Sequence, residues 1–200
     1  LLKAVSVRVE SEGGEGKPAI VRAEMVDERF PIVDQALRTP SQPIGVHATL
    51  TYTLNPDSPT LQIECQLQNA TSSPQRYTLM LGWVQGDGMV MFLPPFGSAS
   101  HAFRFAGPPA LGLLQTLRGA IPFVANVGSR LAYGVYLTEG VFTQVQKVQD
   151  IYLVPLVMNA PVEPQHTLTV RWAFTVSEGE LETIRREWRR HQNTQAELVT

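Results

Sequence analysis

Apolar and polar residues alternate on both sides of a short proline-containing segment in the first third of the chain. Alternation over 46–54 and again over 61–67 would give each segment one apolar face. The apolar positions are Val46, Ala48, Leu50, Tyr52 and Leu54, followed by Leu61, Ile63, Cys65 and Leu67. A period of two is typical of a strand with one buried and one solvated face. Since Pro56, Asp57 and Pro59 favour a turn between the segments, the pattern predicts an antiparallel hairpin.

Strand-like segments recur along most of the chain and are separated by turn signals. They span 4–10, 19–25, 77–83, 89–93, 131–137, 151–157 and 167–176. Near residue 180 the period changes, because Leu181, Ile184 and Trp188 recur at helical intervals, and Ser177 stands at capping-box spacing from Glu180. We therefore expect an all-β fold, an antiparallel β-sandwich of the supersandwich kind, with one C-terminal α-helix over about 180–191.

The expected domain organisation follows from these elements. Residues 1–179 should form the β-sandwich domain, and 180–200 a helix and tail that suit a junction to a further domain and equally a free terminus. Residues 30–43 contain three prolines and predict an irregular crossing. Residues 94–110 are rich in Pro, Gly and Phe and predict a long ordered loop, a kind of segment that often carries function in sandwiches.

Composition removes several function classes. The chain is 44% hydrophobic but only 17% charged, and its net charge is −2, so it has no overall basic field to attract nucleic acid or anionic lipid. No apolar run reaches the roughly 18 residues of a membrane span. The single cysteine, Cys65, excludes an internal disulfide and a cysteine metal cage, and its strand position predicts a buried thiol. Scarce cysteine fits both the cytoplasm and a bacterial envelope.

No local motif for metal, cofactor or nucleophilic chemistry is present. The histidines, His47, His101, His166 and His191, form neither HxH nor HExxH, so we expect no metal site. GxSxG, GxGxxG and P-loop motifs are also absent, and we expect no cofactor. Asn69-Ala70-Thr71 matches the sequon for N-glycosylation, which would matter in a eukaryotic secreted protein.

Aromatic residues surround the Gly86-Asp87-Gly88 turn and the loop after it. An exposed ring beside polar groups can stack on a sugar, which makes Trp83, Asp87, Phe96 and His101 the candidate ligand contacts, although a cap over the open end of the sandwich is the favoured role for the rings. His101, Asp87 and Glu139 form the alternative acid–base set.

Four arginines of the C-terminal segment, at 185, 186, 189 and 190, could form a patch for an anionic partner. Glutamates interleave with them, which favours an ordinary solvated helix face.

Two segments resemble known families: TYTLNPDSPTLQIECQLQNATSSP at 51–74 and LGWVQGDGMVMFLPPFG at 81–97. They resemble the supersandwich core of galactose-mutarotase-like proteins. They resemble more closely the β-sandwich region before the catalytic domain of some bacterial polymerase-and-histidinol-phosphatase-type (PHP) metallohydrolases. The matching residues are Tyr52, Leu54, Pro56, Asp57, Ser58, Pro59, Leu61, Ile63 and Asn69, and more loosely Gly86, Asp87, Pro95, Phe96 and Gly97.

The resemblance implies an accessory domain. Mutarotases use two histidines and a glutamate in the sugar cleft, and no matching motif places these roles on His101, His166 or Glu139. The HxH metal motif of the PHP-type enzymes is absent as well. We therefore expect a non-catalytic module of a larger bacterial envelope or secreted protein, periplasmic or extracellular, that contacts a carbohydrate or a neighbouring protein domain. The alternative is a sugar-active supersandwich enzyme, an epimerase or lyase relative.

Overall fold

Strands make up most of the protein. The computed structural model describes residues 2–28, 45–84, 88–102, 115–148 and 151–198, except for the side chains of 83–84, 148 and 193–198. The described strands are β1 (Leu2–Gly14), β2 (Lys17–Asp27), β3 (Val46–Leu54), β4 (Thr60–Asn69), β5 (Gln75–Val84), β6 (Val90–Leu93), β7 (Gly97–Ser98), β8 (Gln115–Ile121), β9 (Val124–Val127), β10 (Ala132–Leu137), β11 (Phe142–Val148), β12 (Ile151–Val162) and β13 (Thr167–Ser177). The described helices are α1 (Ala99–Ala102) and α2 (Leu181–Leu198).

The described strands form two sheets. One has nine strands in the order β1-β2-β3-β4-β13-β10-β9-β6-β7, and the other has four in the order β5-β12-β11-β8. The pairing is antiparallel: Val21 of β2 faces Tyr52 of β3, and Tyr136 of β10 faces Ala173 of β13. The predicted fold class, an antiparallel β-sandwich with a C-terminal helix, is confirmed.

The central hairpin forms as its alternation predicts. β3 and β4 are neighbours in the nine-stranded sheet, and Asp57 in the turn between them has a φ of 56°. A positive φ is tolerated by aspartate better than by most residues, which explains its use in this turn. Ile63, Cys65 and Leu67 are all buried, so the predicted apolar face of β4 is correct.

The C-terminal helix is longer than the sequence predicts. α2 begins at Leu181, next to the expected start at about residue 180, and the Ser177 hydroxyl donates to the Glu180 carbonyl at 2.8 Å. The helix continues to Leu198, beyond the expected end at His191. The irregular crossing at 30–43 and most of the 94–110 loop lie outside the described residues.

The chain divides into two compact units. Unit 1 comprises 1–58, 62–77 and 159–170, and unit 2 comprises 59–61, 78–158 and 171–200. In unit 1, β1 leaves Val5, Val7 and Val9 exposed, whereas Val46 and Ala48 of β3 are buried. Unit 2 contains both described helices and a core cluster formed by Phe123, Ala125, Ala132, Tyr136, Ala173 and Ile184.

Candidate functional site

The candidate ligand contacts fall partly outside the described residues. Asp87 and the side chain of Trp83 are among the undescribed atoms, although Trp83 itself lies in β5. Phe96 follows β6 in a turn where its N–H donates to the Leu93 carbonyl at 2.6 Å. Its ring lies over the backbone of β8, because a β-carbon at Gly119 would come within 2.6 Å of the Phe96 Cζ atom. The role of these residues in ligand binding stays a prediction.

The candidate acid–base residues lie on the surface of unit 2. His101 is an exposed residue of α1, where its backbone N–H donates to the Ser98 hydroxyl at 3.4 Å. Glu139 is exposed in the bend between β10 and β11. Among the described residues, no hydrogen bond joins the side chains of His101 and Glu139. Their joint catalytic role therefore stays a prediction.

Helix α2 packs on the sheet through the side that its periodicity predicts. Ile184 belongs to the core cluster, and Leu181 and Trp188 pack against it. Glycine at position 134 of β10 gives the helix room, because a β-carbon there would collide with the Cγ2 methyl of Ile184. Close approach of the helix to β10 therefore depends on the absence of a side chain at Gly134.

A chain of buried polar groups links α2 to the sheet. The Thr60 and Thr175 hydroxyls are 2.8 Å apart, Thr175 Oγ1 is 3.1 Å from the Tyr136 hydroxyl, and that hydroxyl is 3.2 Å from His191 Nδ1. The same nitrogen lies 2.9 Å from the Glu187 carbonyl. We call these five residues the polar chain. Local sequence gave no sign of it, because its members come from β4, β10, β13 and α2.

The environment of Tyr136 keeps its hydroxyl protonated. Burial raises the pKa of Tyr136 above its ordinary value, and the negative charge of Glu187 raises it further. Hydrogen bonds with Thr175 and Thr60 and the positive charge of Arg190 act in the opposite direction without reversing the shift. Tyr136 can therefore donate a hydrogen bond within the polar chain, but it is a poor general base.

A carboxamide is buried in β9 of unit 2. Asn126 of β9 is 1% exposed, and neither its oxygen nor its nitrogen has a hydrogen-bond partner among the described residues. It lies between Met91 of β6 and Tyr133 of β10 in the sheet register. A carboxamide offers two donors and an acceptor oxygen, the groups that recognise a hydroxyl or a water molecule. Buried polar groups normally find partners, and at 1% exposure the Asn126 carboxamide is out of reach of a sugar in solvent.

The Asn69 sequon serves as a structural motif in unit 1. Asn69 is fully buried, and its Nδ2 donates to the carbonyls of Ser73 at 2.8 Å and Val162 at 3.0 Å. Its Oδ1 accepts from the N–H of Thr71 at 3.0 Å and from the Thr71 hydroxyl at 2.7 Å. The folded protein therefore has no accessible amide at this sequon.

The described parts of the chain hold no group of three or more His, Cys, Asp or Glu side chains placed to bind a metal ion. Neither described helix combines the length and the hydropathy that crossing a membrane requires.

Comparison with solved structures identifies the fold. The GH36 alpha-galactosidase AgaA from Geobacillus stearothermophilus superposes with a TM-score of 0.56 and 15% identity, covering 90% of this chain and 28% of that enzyme. A proposed aldose 1-epimerase from Klebsiella pneumoniae gives 0.55 and 9% over 90% of this chain and 56% of its own. Another from Escherichia coli K12 gives 0.53 and 8% over 88% and 68%. The fold is thus the galactose-mutarotase-like sandwich, and this chain spans about a quarter to two thirds of these proteins.

Sequence comparisons give no such relative. No protein-family model matches the chain, and no curated protein matches it. At identities of 15% and below, the structural likeness establishes the fold alone.

Proposed function

We propose that this chain is a non-catalytic β-sandwich module of a larger carbohydrate-related protein. One observation carries the proposal: the fold extends over 90% of this chain but over only 28% of the GH36 alpha-galactosidase, where it forms one part of a much larger sugar-active chain. We further propose that the module comes from a bacterial envelope or secreted protein and precedes a PHP-type catalytic domain.

The native size of the polypeptide tests this proposal. An immunoblot of source cells, using antibodies raised to these 200 residues, should show a band far above 22.1 kDa. Mass spectrometry of the same band should then identify the attached domain, and an HxH metal motif in its peptides would support the PHP-type expectation. A native band at the size of this chain would contradict the accessory role.

Carbohydrate contact by the module is proposed to involve Phe96 and His101, the described members of the candidate set predicted from the sequence. His101 is exposed, and Phe96 is half-buried in the turn after β6. Replacing His101 by alanine should weaken binding in a calorimetric screen of galactose-containing sugars, whereas His166→Ala, at another exposed histidine, should not. Sugar binding that survives His101→Ala would exclude this residue as the contact.

A sugar-active enzyme is the second candidate, favoured by the similarity to the two proposed aldose 1-epimerases. On this alternative His101, Asp87 and Glu139 act as acid and base. The rate of mutarotation of a panel of aldoses, measured by polarimetry, should then fall in His101→Ala and in Glu139→Gln. It should not change in His166→Ala, the matched substitution at another exposed histidine. Absence of turnover across the panel would remove this alternative.

A further inference from the structure

Helix α2 carries a face of arginines on the side that does not pack on the sheet. Ile184 and Trp188 hold one side of the helix against the core cluster, and the Gln192 side chain donates to the Leu137 carbonyl at 3.2 Å. These contacts fix which side of the helix faces solvent. The solvent side carries Arg185, Arg186, Arg189 and Arg190, whose side chains are 44%, 66%, 62% and 72% exposed. We call these four residues the arginine face.

Two glutamates neutralise only part of this charge. Glu182 is shared, since its carboxylate lies 3.6 Å from Arg185 Nη1 and 3.5 Å from Arg189 Nη1. Glu187 is nearly buried, and its carboxylate lies 3.9 Å from Arg186 Nε and 3.7 Å from Arg190 Nη1. These separations exceed the roughly 2.7–2.9 Å of a charge-assisted hydrogen bond. Because each guanidinium has several N–H donors and stays largely exposed, the arginine face keeps donors for an external acceptor.

The positive charge is local to this helix. Helix α2 contains four arginines and three glutamates, the third at position 197, whereas the whole chain has a net charge of −2. The protein as a whole therefore lacks the long-range basic field that draws in nucleic acid. Glu182 also lies among the arginines and weakens their attraction for a long polyanion. Short-range recognition of separate carboxylates fits this charge pattern better.

We propose that the arginine face docks an acidic segment of a partner polypeptide. Arg185 and Arg189 form one row along the helix and Arg186 and Arg190 a second, with the members of each row one turn apart, about 5–6 Å between β-carbons. Carboxylates one turn apart on an acidic helix have the same spacing and accept bidentate hydrogen bonds from guanidinium groups. This inference rests on the proposed accessory role, because it names the surface through which the module meets a neighbouring protein.

Fluorescence anisotropy tests the inference with the 200-residue chain. The probe is a short labelled helical peptide with glutamates one turn apart, titrated at low and at physiological ionic strength. A heparin oligosaccharide and a single-stranded DNA of similar charge are titrated in parallel. We expect the peptide to bind most tightly and its affinity to fall with added salt.

Matched variants separate the arginine face from general charge effects. Arg185→Gln, Arg186→Gln and Arg189→Gln together should weaken peptide binding about tenfold, since exposed ion pairs contribute up to about 1 kcal/mol each. Arg118→Gln with Arg130→Gln, which changes two exposed arginines elsewhere in unit 2, should leave it unchanged. Circular dichroism checks that each variant is folded.

Three results would overturn the inference: no peptide binding by the unmodified chain, equal binding by the triple variant, or tighter binding of DNA or heparin than of the peptide. Failure here is distinguishable from failure of the accessory role. A large native protein without peptide binding removes the docking inference alone, whereas a native band at the size of this chain removes the accessory role.

Discussion

Replacing Gly134 by alanine tests how closely α2 packs on β10. The new β-carbon would collide with the Cγ2 methyl of Ile184 and lie 3.4 Å from the Cβ and Cδ1 atoms of that residue. Ile184 is fully buried, and Cγ2 is attached directly to its Cβ, so rotation of the distal end of the side chain gives no relief. Overpacking of this kind costs about 1–3 kcal/mol. For a chain of this size each kcal/mol lowers Tm by roughly 2–4 °C.

Thermal and urea unfolding, followed by circular dichroism, measure this cost, and a second substitution identifies its cause. Ile184→Leu removes the Cγ2 methyl with little change in volume and should cost less than about 1.5 kcal/mol alone. The double variant should then be about 1 kcal/mol more stable than the sum of the single effects predicts. Gly82→Ala is the control, because the only close approach of its β-carbon would be to the flexible Cδ2 end of the Leu153 side chain, at 2.9 Å, with the Tyr152 carbonyl oxygen at an ordinary 3.7 Å. Wild-type stability of Gly134→Ala, or strict additivity, would refute the packing argument.

Three further predictions concern buried groups. Tyr136→Phe should lower the free energy of urea unfolding by about 1–2 kcal/mol, because it removes the hydrogen bonds of the hydroxyl with Thr175 and His191. Tyr133→Phe is the control, since Tyr133 lies outside the polar chain. Equal stability of the two variants would contradict a stabilising role of the polar chain. Cys65→Asp should cost more than about 4 kcal/mol, because it puts an unpaired charge on a buried strand face, and a melting temperature near that of the wild type would show the strand phase to be wrong. Burial, aided by the charge of Glu64, raises the pKa of the Cys65 thiol from 9.0 to about 12. The stability that this thiol contributes is therefore fully present below pH 9 and declines as pH rises towards 12, with a slope approaching about 1.4 kcal/mol per pH unit, and Cys65→Ala should flatten that decline in a pH series of urea titrations. Identical slopes in the two proteins would count against this assignment.

Most strands could be predicted from the sequence, but β8, β9 and β11 were not. β3 and β4 alternate, and Val46, Ala48, Ile63, Cys65 and Leu67 are buried where the alternation places them. Leu54 is exposed and Thr60 is buried, against the predicted pattern.

β8 alternates between half-buried and exposed positions, yet its only apolar residues are Leu117, Ala120 and Ile121, so its pattern is weak. β9 was missed because Val124, Ala125 and Asn126 are all buried, so its two faces give no apolar–polar contrast, and it is only four residues long.

The polar chain lies beyond sequence reasoning for a different reason. Tyr136 and His191 are 55 residues apart, and their contact exists only because α2 lies on β10. The helical spacing of Leu181, Ile184 and Trp188 correctly predicts which side of α2 is buried. It does not predict which strand that side covers, because this depends on small residues such as Gly134 that have no distinctive local pattern.

The buried Asn69 has a practical consequence for producing the protein. A eukaryotic secretory host would expose the Asn69-Ala70-Thr71 sequon to glycan transfer before the chain folds. A glycan on Asn69 Nδ2 would disturb the hydrogen bonds that this nitrogen donates to the carbonyls of Ser73 and Val162. It would also need space that the folded chain does not leave around the fully buried Asn69. Glycosylated chains should therefore fail to reach this fold.

Editing the sequon away would not rescue such an expression system. Thr71→Ala deletes the hydroxyl that donates to Asn69 Oδ1, and Ala70→Pro deletes the N–H that donates to the Gly45 carbonyl at 3.0 Å. Each edit that blocks glycan transfer thus removes part of the turn that follows β4. A host without N-glycosylation is the suitable source of folded material, and any glycan-bearing fraction from another host should behave as aggregated or degraded chain.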